Sequence, residues 1–330
     1  MVKWRVVITG FHIFLGLSWA SAMAAQETLP IKPSLVPAFD AALRLPIARP
    51  HTLAKGPGKG TPLFAATSAG LFVSADGEQW DHLSLPKAAG EEVFAVSVHP
   101  VSDRVLYIGG PTGVWTSQDG GTTWSTLPRL VPEGAIPRSI AIAPGVPDVI
   151  YVGTELHGIF KSDDGGATWH PRSEGLPRAP AEERPTPIRC LAVDPTTPLI
   201  AYAGTELHGF YKTTDGGASW AAINQGLGFF PLQWRAGSPS LLIDRFDTRK
   251  MMAMLVRPLH SRLVKTFVYQ SSDGGEHWFS LEVELPPDDR GIALAEDPSD
   301  PQAVALFTTK GLVRITWREI VGIADPGAQP

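Results

Sequence analysis

An eight-residue pattern, Ser/Thr-x-Asp-Gly-Gly-x-x-Trp, recurs along this chain and constrains its fold more than any other feature. Four copies end at Trp124, Trp169, Trp220 and Trp278, and a shortened copy ends at Trp80. These tryptophans are 44, 45, 51 and 58 residues apart, which is about the length of one four-stranded propeller blade. A period of this length predicts a repeat architecture in which each unit packs against its neighbours.

The sequence around each copy predicts short β-strands. In the copy that ends at Trp169, a run that closes on Pro (residues 140–144) is followed by two apolar runs, residues 150–153 and 158–161. Short apolar runs bounded by Gly, Pro and Asp are typical of strands, and the spacing leaves no room for helices. The segment after each Trp supplies one more strand. Each repeat is therefore expected to form a four-stranded antiparallel meander, with strands a to d and the pattern in the turn between c and d.

Such meanders bury both faces only when several pack side by side, and radial closure protects their edges. We expect a single all-β domain, a β-propeller of six blades, with seven blades as the alternative. The six units are residues 61–85, 92–127, 138–171, 188–223, 240–281 and 291–317, and the last has lost the pattern. A seventh blade would have to lie within residues 26–60, where the six prolines argue against four paired strands.

The chain outside these units divides into three segments. Residues 1–24 read as a secretory signal, because Lys3 and Arg5 precede an apolar core and small residues. An uncleaved membrane anchor is the alternative, although the apolar run is short for a span. Residues 25–60 form a Pro-rich segment that either contributes to blade one or supplies a closing strand for blade six. The propeller then covers 61–317, and 318–330 is a C-terminal tail.

Each residue type of the repeated pattern has a physical role in a turn. Asp accepts backbone N–H bonds, Gly supplies the positive φ angles, and Trp packs its ring between neighbouring sheets. Calcium binding or catalysis is the alternative for these Asp residues, but recurrence in successive units favours a folding role. The structural set comprises Asp76, Asp119, Asp164, Asp215 and Asp273 with Trp80, Trp124, Trp169, Trp220 and Trp278.

The pattern resembles the Asp-box, or BNR, repeat of bacterial neuraminidases, over roughly residues 61–317. Among proteins with such repeats, the chain is most similar to exported single propellers, namely the photosystem II stability/assembly factor-like group and generic sialidase-like or sortilin-like repeat proteins. This resemblance implies a non-catalytic module that binds or assembles protein partners. A periplasmic or secreted location agrees with the predicted signal.

The resemblance to sialidases also raises the possibility of a glycoside hydrolase. Sialidases of this kind use a Tyr nucleophile, three arginines and an Arg-Ile-Pro motif, and that motif is missing here. Tyr107, Tyr151 and Tyr202 occupy one repeated strand b position, whereas Tyr211 and Tyr269 occupy one strand c position. These repeat positions leave no tyrosine for a unique catalytic role. A hydrolase with two carboxylates stays open as the alternative function, because it needs only a suitably spaced pair.

Propeller geometry places the b–c turns and the starts of strand a on one face, opposite the c–d turns. Two identical b–c loops, residues 154–158 and 205–209, read Thr-Glu-Leu-His-Gly. The candidate binding residues from these loops and strand starts are Arg138, Arg189, Glu155, Glu206, His157 and His208. They suggest a polar pocket for an anionic or sugar-like ligand, or a metal held by His and Glu. The alternative is simple repeat duplication, with solvated Arg–Glu pairs that contribute little.

An aromatic insertion between blades four and five completes the candidate surface. Phe229, Phe230 and Trp234 lie within six residues of one another on the same face, and they form either a local core or a contact surface. The net charge of −5 gives no electrostatic case for nucleic acid. The sequence has no phosphate loop, Cys-x-x-Cys or His-Glu-x-x-His motif, so we expect no cofactor and no metal. A protein partner is therefore favoured, with a glycan as the second option.

Overall fold

The computed structural model describes residues 50–317, apart from residues 59, 76–78, 131–133, 179–183, 228–238, 261–262, 282, 284, 286–288, 297–302 and 310. These residues form six antiparallel sheets in which the strands follow chain order from the first to the last. The predicted all-β propeller of six blades is confirmed. The described residues contain one 3-10 turn, Lys87–Ala89, and no α-helix. They also contain no helix long and apolar enough to cross a membrane.

The first three blades each have four strands, called a to d in chain order. Blade one consists of β1 (Pro50–Lys55), β2 (Leu63–Thr67), β3 (Gly70–Ser74) and β4 (Asp81–Leu83). Blade two consists of β5 (Ala95–His99), β6 (Ser102–Gly110), β7 (Gly113–Ser117) and β8 (Ser125–Thr126). Blade three consists of β9 (Pro137–Ile142), β10 (Ile150–Thr154), β11 (Ile159–Ser162) and β12 (His170–Pro171).

The last three blades complete the ring. Blade four consists of β13 (Ile188–Val193), β14 (Ala201–Thr205), β15 (Phe210–Thr213) and β16 (Ala221–Ala222). Blade five consists of β17 (Ser240–Ile243), β18 (Met251–His260), β19 (Leu263–Ser271) and β20 (Phe279–Leu281). Blade six has three strands within the described residues, β21 (Gly291–Glu296), β22 (Ala303–Thr308) and β23 (Leu312–Thr316).

The strand β1 lies in the described end of the Pro-rich segment that precedes the shortened pattern. Of the two alternatives for residues 25–60, its described part follows the first, because Pro50–Lys55 pairs with β2 as strand a of blade one. Proline is tolerated here because it is the first residue of the strand, where its missing N–H removes no ladder bond. The predicted unit 61–85 therefore lacked its innermost strand. Residues 1–24 and 318–330 lie outside the described residues.

The six a strands, β1, β5, β9, β13, β17 and β21, lie next to one another around the central axis. All six contribute residues to the wall of a central cavity of about 140 Å³. Because each meander reverses direction at every turn, the b–c turns and the d–a connections share one face of the ring, here called the b–c face. The a–b and c–d turns share the other face, here called the c–d face.

The hydrophobic core is divided into layers between neighbouring blades. Buried residues form five clusters, which lie between blades one and two, two and three, three and four, four and five, and five and six. Each layer is filled by the apolar strands that the sequence predicts. Tyr151 and Ile188, for example, are fully buried in the layer between blades three and four. Burial of this kind is the main favourable term that holds the ring together.

The repeated pattern forms the turn between strands c and d, as predicted. In blade three, the Ser162 hydroxyl donates to Asp164 Oδ1 at 2.7 Å and accepts the Gly166 N–H at 2.8 Å. The second carboxylate oxygen of Asp164 accepts the Thr168 hydroxyl at 2.6 Å. Gly165 and Gly166 have φ angles of 69° and 94°, which other residues rarely adopt. Equivalent bonds recur in blades two, four and five, whereas Asp76 lies outside the described residues.

Candidate functional site

The two Thr-Glu-Leu-His-Gly loops fold identically and fix the predicted charged residues on the b–c face. In blade three, the Thr154 hydroxyl donates to the Gly158 carbonyl at 2.8 Å and accepts the His157 N–H at 3.0 Å. The Glu155 N–H then bonds to the carbonyl of Ile136 at 2.9 Å, which joins the loop to the start of strand a. The same bonds recur in blade four around Thr205.

Four of the predicted residues form one ion-pair network across blades three and four. Arg189 bonds to Glu155 of the preceding blade through Nη1 at 3.0 Å and Nη2 at 3.2 Å. It also bonds to Glu206 of its own blade, through Nε at 2.9 Å and through Nη2. Arg138 bonds to Glu155 through Nε. The chain of charges therefore runs Arg138, Glu155, Arg189, Glu206, in alternating sign.

Simple repeat duplication would leave solvated Arg–Glu pairs on the surface, but the side chains of this network are mostly shielded from solvent. The four side chains are between 20% and 24% exposed, so solvent screens their attraction less than it screens a fully exposed pair. A guanidinium that binds a carboxylate through two nitrogens is also fixed in orientation. The network therefore joins two neighbouring blades and presents a rigid polar surface on the b–c face.

Irregularities in strand a explain why the arginines reach this position. The pairing register shifts at His51, Arg138, Arg189 and Ile292, and a β-bulge of this kind turns a side chain away from the regular ladder. Phe94 holds the same position in blade two, just before β5, where its N–H bonds to the Gly109 carbonyl. Pro239 holds it in blade five. These six residues, one from each blade, are called the channel mouth: His51, Phe94, Arg138, Arg189, Pro239 and Ile292.

Three residues on the b–c face escaped the sequence reasoning. Arg138 lies over the ring of Phe94, with 3.7 Å between the guanidinium carbon and the ring centroid. Phe94 meets His51 edge to face at 5.6 Å, and His51 Nε2 lies 3.2 Å from Glu92 Oε1. Alignment of the strand a starts would have found His51 and Phe94, because both stand at the repeat position of Arg138 and Arg189.

Burial and charge keep His51 neutral. Burial lowers the pKa of His51 first, and the positive charges of Arg138 and Arg189 lower it further, against the opposing effect of Glu92. An imidazole with a pKa below its ordinary value of 6.5 carries no charge at neutral pH. The mouth therefore combines a neutral imidazole, an aromatic ring and two arginines with paired glutamates.

The predicted His157 and His208 do not join the network. Their Nδ1 atoms are buried without a hydrogen-bond partner in the described part of the chain, and burial lowers the pKa of His208. Within the same residues, no group of three or more His, Cys, Asp or Glu side chains could hold a metal ion. Phe229, Phe230 and Trp234 lie outside the described residues, so their place beside the network stays a prediction.

The tyrosines, one of which sialidase chemistry would need as nucleophile, are buried in the blades. All five tyrosines are less than a tenth exposed, in the repeated strand positions that the sequence indicates. Burial raises the pKa of Tyr151 and of Tyr202 well above the ordinary value, so both phenols stay protonated.

Cys190 lines the central cavity, and burial raises the pKa of its thiol to about 12. It is therefore not a thiolate at neutral pH.

The c–d face carries a second feature that the sequence reasoning missed. The large apolar side chains that are exposed among the described residues are Val101, Val146, Leu199 and Phe246, at 73%, 43%, 53% and 74%. Each lies in the a–b turn of its blade, in blades two to five respectively. Single exposed apolar residues are ordinary, but these four share one face of the ring.

Comparison with known proteins places the chain among propellers of several kinds. The Sortilin-Vps10 family model (sortilin, neurotensin receptor 3) matches residues 112–240, less than half of the chain. A xyloglucanase of Hypocrea jecorina is 33% identical over 144 residues, which make up 42% of this chain and 16% of the relative. The chain spans a fifth or less of the length of the curated relatives it matches.

Solved structures show the same fold at low sequence identity. An ancestral GH74 enzyme matches with a TM-score of 0.57 and 19% identity, over 78% of this chain and 34% of that one. A chain of the COPII outer coat vertex on membranes matches with a TM-score of 0.53 and 12% identity, over 80% and 69%. The chain is thus similar in fold to both an enzyme and a coat component, and its own site must decide between such roles.

Proposed function

We propose that this protein is an exported, non-catalytic β-propeller that binds a protein partner on its b–c face. The observation that carries the proposal is the network of Arg138, Glu155, Arg189 and Glu206. It gives the face a rigid, charge-balanced surface around the mouth of the central cavity. It also engages the two glutamates that the repeats bring to that face.

Hydrolysis of a glycoside by two carboxylates needs one carboxyl group that keeps its proton and one that is free to act as base or nucleophile. Glu155 and Glu206 each form ion pairs with arginines, so neither carboxylate is free to act as base or nucleophile. Asp119, Asp164 and Asp215 have pKa values of about 2, chiefly because neighbouring hydroxyl groups donate to them. The three aspartates are therefore poor general acids, and all five carboxylates are engaged in structural contacts.

The same surface has the composition of a protein interface. Arginine and aromatic residues dominate binding energies, and they act best on a rigid, partly desolvated surface. Arg138 stacked on Phe94, beside His51, supplies such a group at the centre of the face. The predicted aromatic insertion at Phe229, Phe230 and Trp234 would extend it towards blades four and five.

A glycoside hydrolase is the second candidate, and the xyloglucanase relatives favour it. Those relatives are several times longer than the matched segment, so the similarity covers a small part of each enzyme. A carbohydrate ligand would also suit the polar mouth, since sugars need both donors and acceptors. The two candidates differ in one measurable property, namely turnover.

The first test is catalytic. The purified protein is incubated with xyloglucan oligosaccharides and with sialyl conjugates, and reducing ends and free sialic acid are measured. We expect no release above that of a heat-denatured sample. Turnover that a single substitution, Glu155→Gln or Glu206→Gln, abolishes would replace the binding proposal with the hydrolase.

The second test locates the binding face in the source cells. A photo-cross-linking residue is placed at Leu156 or Leu207 in the b–c loops, and in matched variants at Val146 or Leu199 on the c–d face. We expect a discrete protein adduct of one mass from both b–c positions and not from the c–d positions. Adducts only from the c–d positions would move the working surface to the exposed apolar residues.

A further inference from the structure

The two arginines of the network occupy equivalent positions but have different surroundings. Arg189 lies between two glutamates, Glu206 of its own blade and Glu155 of the preceding blade. Arg138 has Glu155 of its own blade. The equivalent position in the blade before it, blade two, is Pro111, because Gly109 of blade two aligns with Gly153 of blade three. The repeat therefore lacks one carboxylate, beside Arg138.

This asymmetry leaves donors of Arg138 unused. Its Nε bonds to Glu155, while its Nη1 and Nη2 groups make no hydrogen bond within the described part of the chain. On Arg189, the equivalent terminal nitrogens bind Glu155 at 3.0 and 3.2 Å. Unused donors on a guanidinium that is 21% exposed are costly unless water or a ligand meets them.

The orientation of Arg138 is nevertheless fixed. Its guanidinium carbon lies over the Phe94 ring, 3.7 Å from the centroid, and its Nε bonds to Glu155. The contact with the aromatic ring and the hydrogen bond at Nε hold the guanidinium in place, and its two terminal nitrogens are the donors left for another partner. A fork of donors held in this way suits a planar carboxylate, which accepts two parallel N–H bonds.

We propose that Arg138 and Phe94 form a site for a carboxylate group of the protein partner, which takes the position that Glu155 holds beside Arg189. This inference rests on the proposed function and names the chemistry of the partner. The carboxylate is either a C-terminus or an Asp or Glu side chain, since both present the same pair of oxygens.

The charges around the site set its strength. Glu155, in the b–c turn that follows β10, pairs with Arg138. Arg189, in β13, pairs with the same glutamate. On the other side, Glu92 is 42% exposed and is bound to His51. Glu92 carries a negative charge near an incoming carboxylate and opposes it. Its removal by Glu92→Gln is expected to strengthen binding.

The site is tested with synthetic peptides whose carboxylates are controlled. Three sets of fluorescent random hexapeptides are used: free C-termini without Asp or Glu, amidated C-termini with one Asp or Glu, and amidated C-termini without either. We expect the first or the second set to bind the wild type, which identifies the source of the carboxylate. We expect the affinity of the third set to be lower by about tenfold or more, because one charged hydrogen-bonded pair is lost.

Two variants assign the binding to Arg138. Arg138→Gln removes the fork, and Pro111→Glu places a carboxylate of the chain itself at the position that the repeat lacks, where the native side chain is exposed. Both are expected to lower carboxylate binding by about tenfold or more. Arg104→Gln, at an exposed position on the c–d face, removes the same charge and is expected to change nothing.

The outcomes separate this inference from the proposed function. Equal binding of all three peptide sets, or of none, overturns the carboxylate site, and so does full binding by both Arg138→Gln and Pro111→Glu. In each of these cases, cross-linking from the b–c face would still support a protein-binding module. Turnover of a glycoside would instead overturn the proposed function itself, whatever the peptides do.

Discussion

Arg189 in blade four bonds to Glu155 in blade three through both of its terminal nitrogens, at 3.0 and 3.2 Å. The pair crosses from one blade to the next at the channel mouth, whereas the bonds of Arg189 to Glu206 stay within one blade. Blades of a propeller are otherwise joined mainly by apolar packing. This pair therefore fixes the relative position of two blades on the face where we propose that the partner binds.

A double-mutant cycle on Arg189→Gln and Glu155→Gln should give a coupling energy of about 1–2 kcal/mol, because the pair is bidentate and about four-fifths buried. Urea unfolding measures the four free energies. The control cycle is Arg249→Gln with Asp247→Asn, an ion pair whose Arg is 65% exposed, where we expect at most about 0.5 kcal/mol. Equal coupling energies in the two cycles would show that the inter-blade pair stabilises the fold no more than an exposed ion pair does.

The turn in blade three gives a second prediction. The hydroxyl of Ser162 is buried, donates to Asp164 and accepts the Gly166 N–H. Ser162→Ala leaves that N–H without a partner, so the free energy of unfolding should fall by about 1–3 kcal/mol. Ser125→Ala, at an exposed position of β8, is the control and should change it by less than about 0.5 kcal/mol. Similar values for the two variants would contradict the assigned role.

The repeats explain why so much of the fold could be predicted. The spacing of Trp124 and Trp169 gave the blade length. The duplicated loops placed Glu155 and Glu206 on one face, and the starts of strand a placed Arg138 and Arg189 there. For residues 25–60, a contribution to blade one was one of two alternatives, and the prolines of this segment gave no way to assign the strand to one blade. Pro50 at the first position of β1 is compatible with pairing, but a count of prolines does not show this.

The rest of the site could not be read from the sequence for a different reason. His51 and Phe94 align with Arg138 only when the strand starts are known, and their residue types have nothing in common with arginine. Bulges in strand a direct His51 and Arg138 to the mouth, and a bulge leaves no reliable mark in one sequence. Val101 and Leu199 were missed because one exposed apolar residue per turn is ordinary, and only the fold shows that they share a face.

The pKa values of the turn aspartates predict how stability depends on acid. Asp119, Asp164 and Asp215 have pKa values of about 2 rather than 3.8, first because of the hydroxyl groups of Thr123, Thr168 and Ser219. A carboxyl group whose pKa is depressed by folding stabilises the protein above 3.8, and this stabilisation is lost as the pH falls from there through about 2. The free energy of unfolding should therefore fall over that range.

Replacement of the three aspartates by asparagine removes this contribution. The variant should be less stable at neutral pH, but its unfolding free energy should change less than that of the wild type between about pH 5 and about pH 2. Urea unfolding at a series of pH values measures both curves. Curves of equal slope would show that these carboxylates do not control the acid response.

The tryptophans of the pattern differ in what their indole N–H groups bind. Trp278 donates to the Ile223 carbonyl of the preceding blade at 2.7 Å and is 2% exposed. The buried Trp169 Nε1 has no partner within the described residues. Trp278→Phe leaves the Ile223 carbonyl without this hydrogen bond. It should lower the free energy of unfolding by about 1–3 kcal/mol more than Trp169→Phe does. Thermal and urea unfolding of the two variants make the comparison, and a larger loss from Trp169→Phe would contradict it.

Gly175 and Gly120 have nearly the same positive φ angle, 81° and 78°, but different surroundings. A Cβ atom on Gly175 would lie 2.2 Å from the Trp220 carbonyl oxygen of the next blade, whereas one on Gly120 would meet nothing within 4 Å. Trp220 has little freedom to move away, because its backbone N–H bonds to Glu174 and its indole N–H bonds to the Arg172 carbonyl, each at 2.9 Å.

Gly120→Ala should therefore cost only the strain of a positive φ, about 1–2 kcal/mol. Gly175→Ala should cost several kcal/mol more, because blades three and four must separate to admit the methyl group. Urea unfolding measures the difference directly, and the melting temperature of Gly120→Ala calibrates the strain. If Gly175→Ala gives no folded protein while Gly120→Ala does, the close approach of the blades is supported. If the two variants are equally stable, the contact between Gly175 and Trp220 does not hold the blades together.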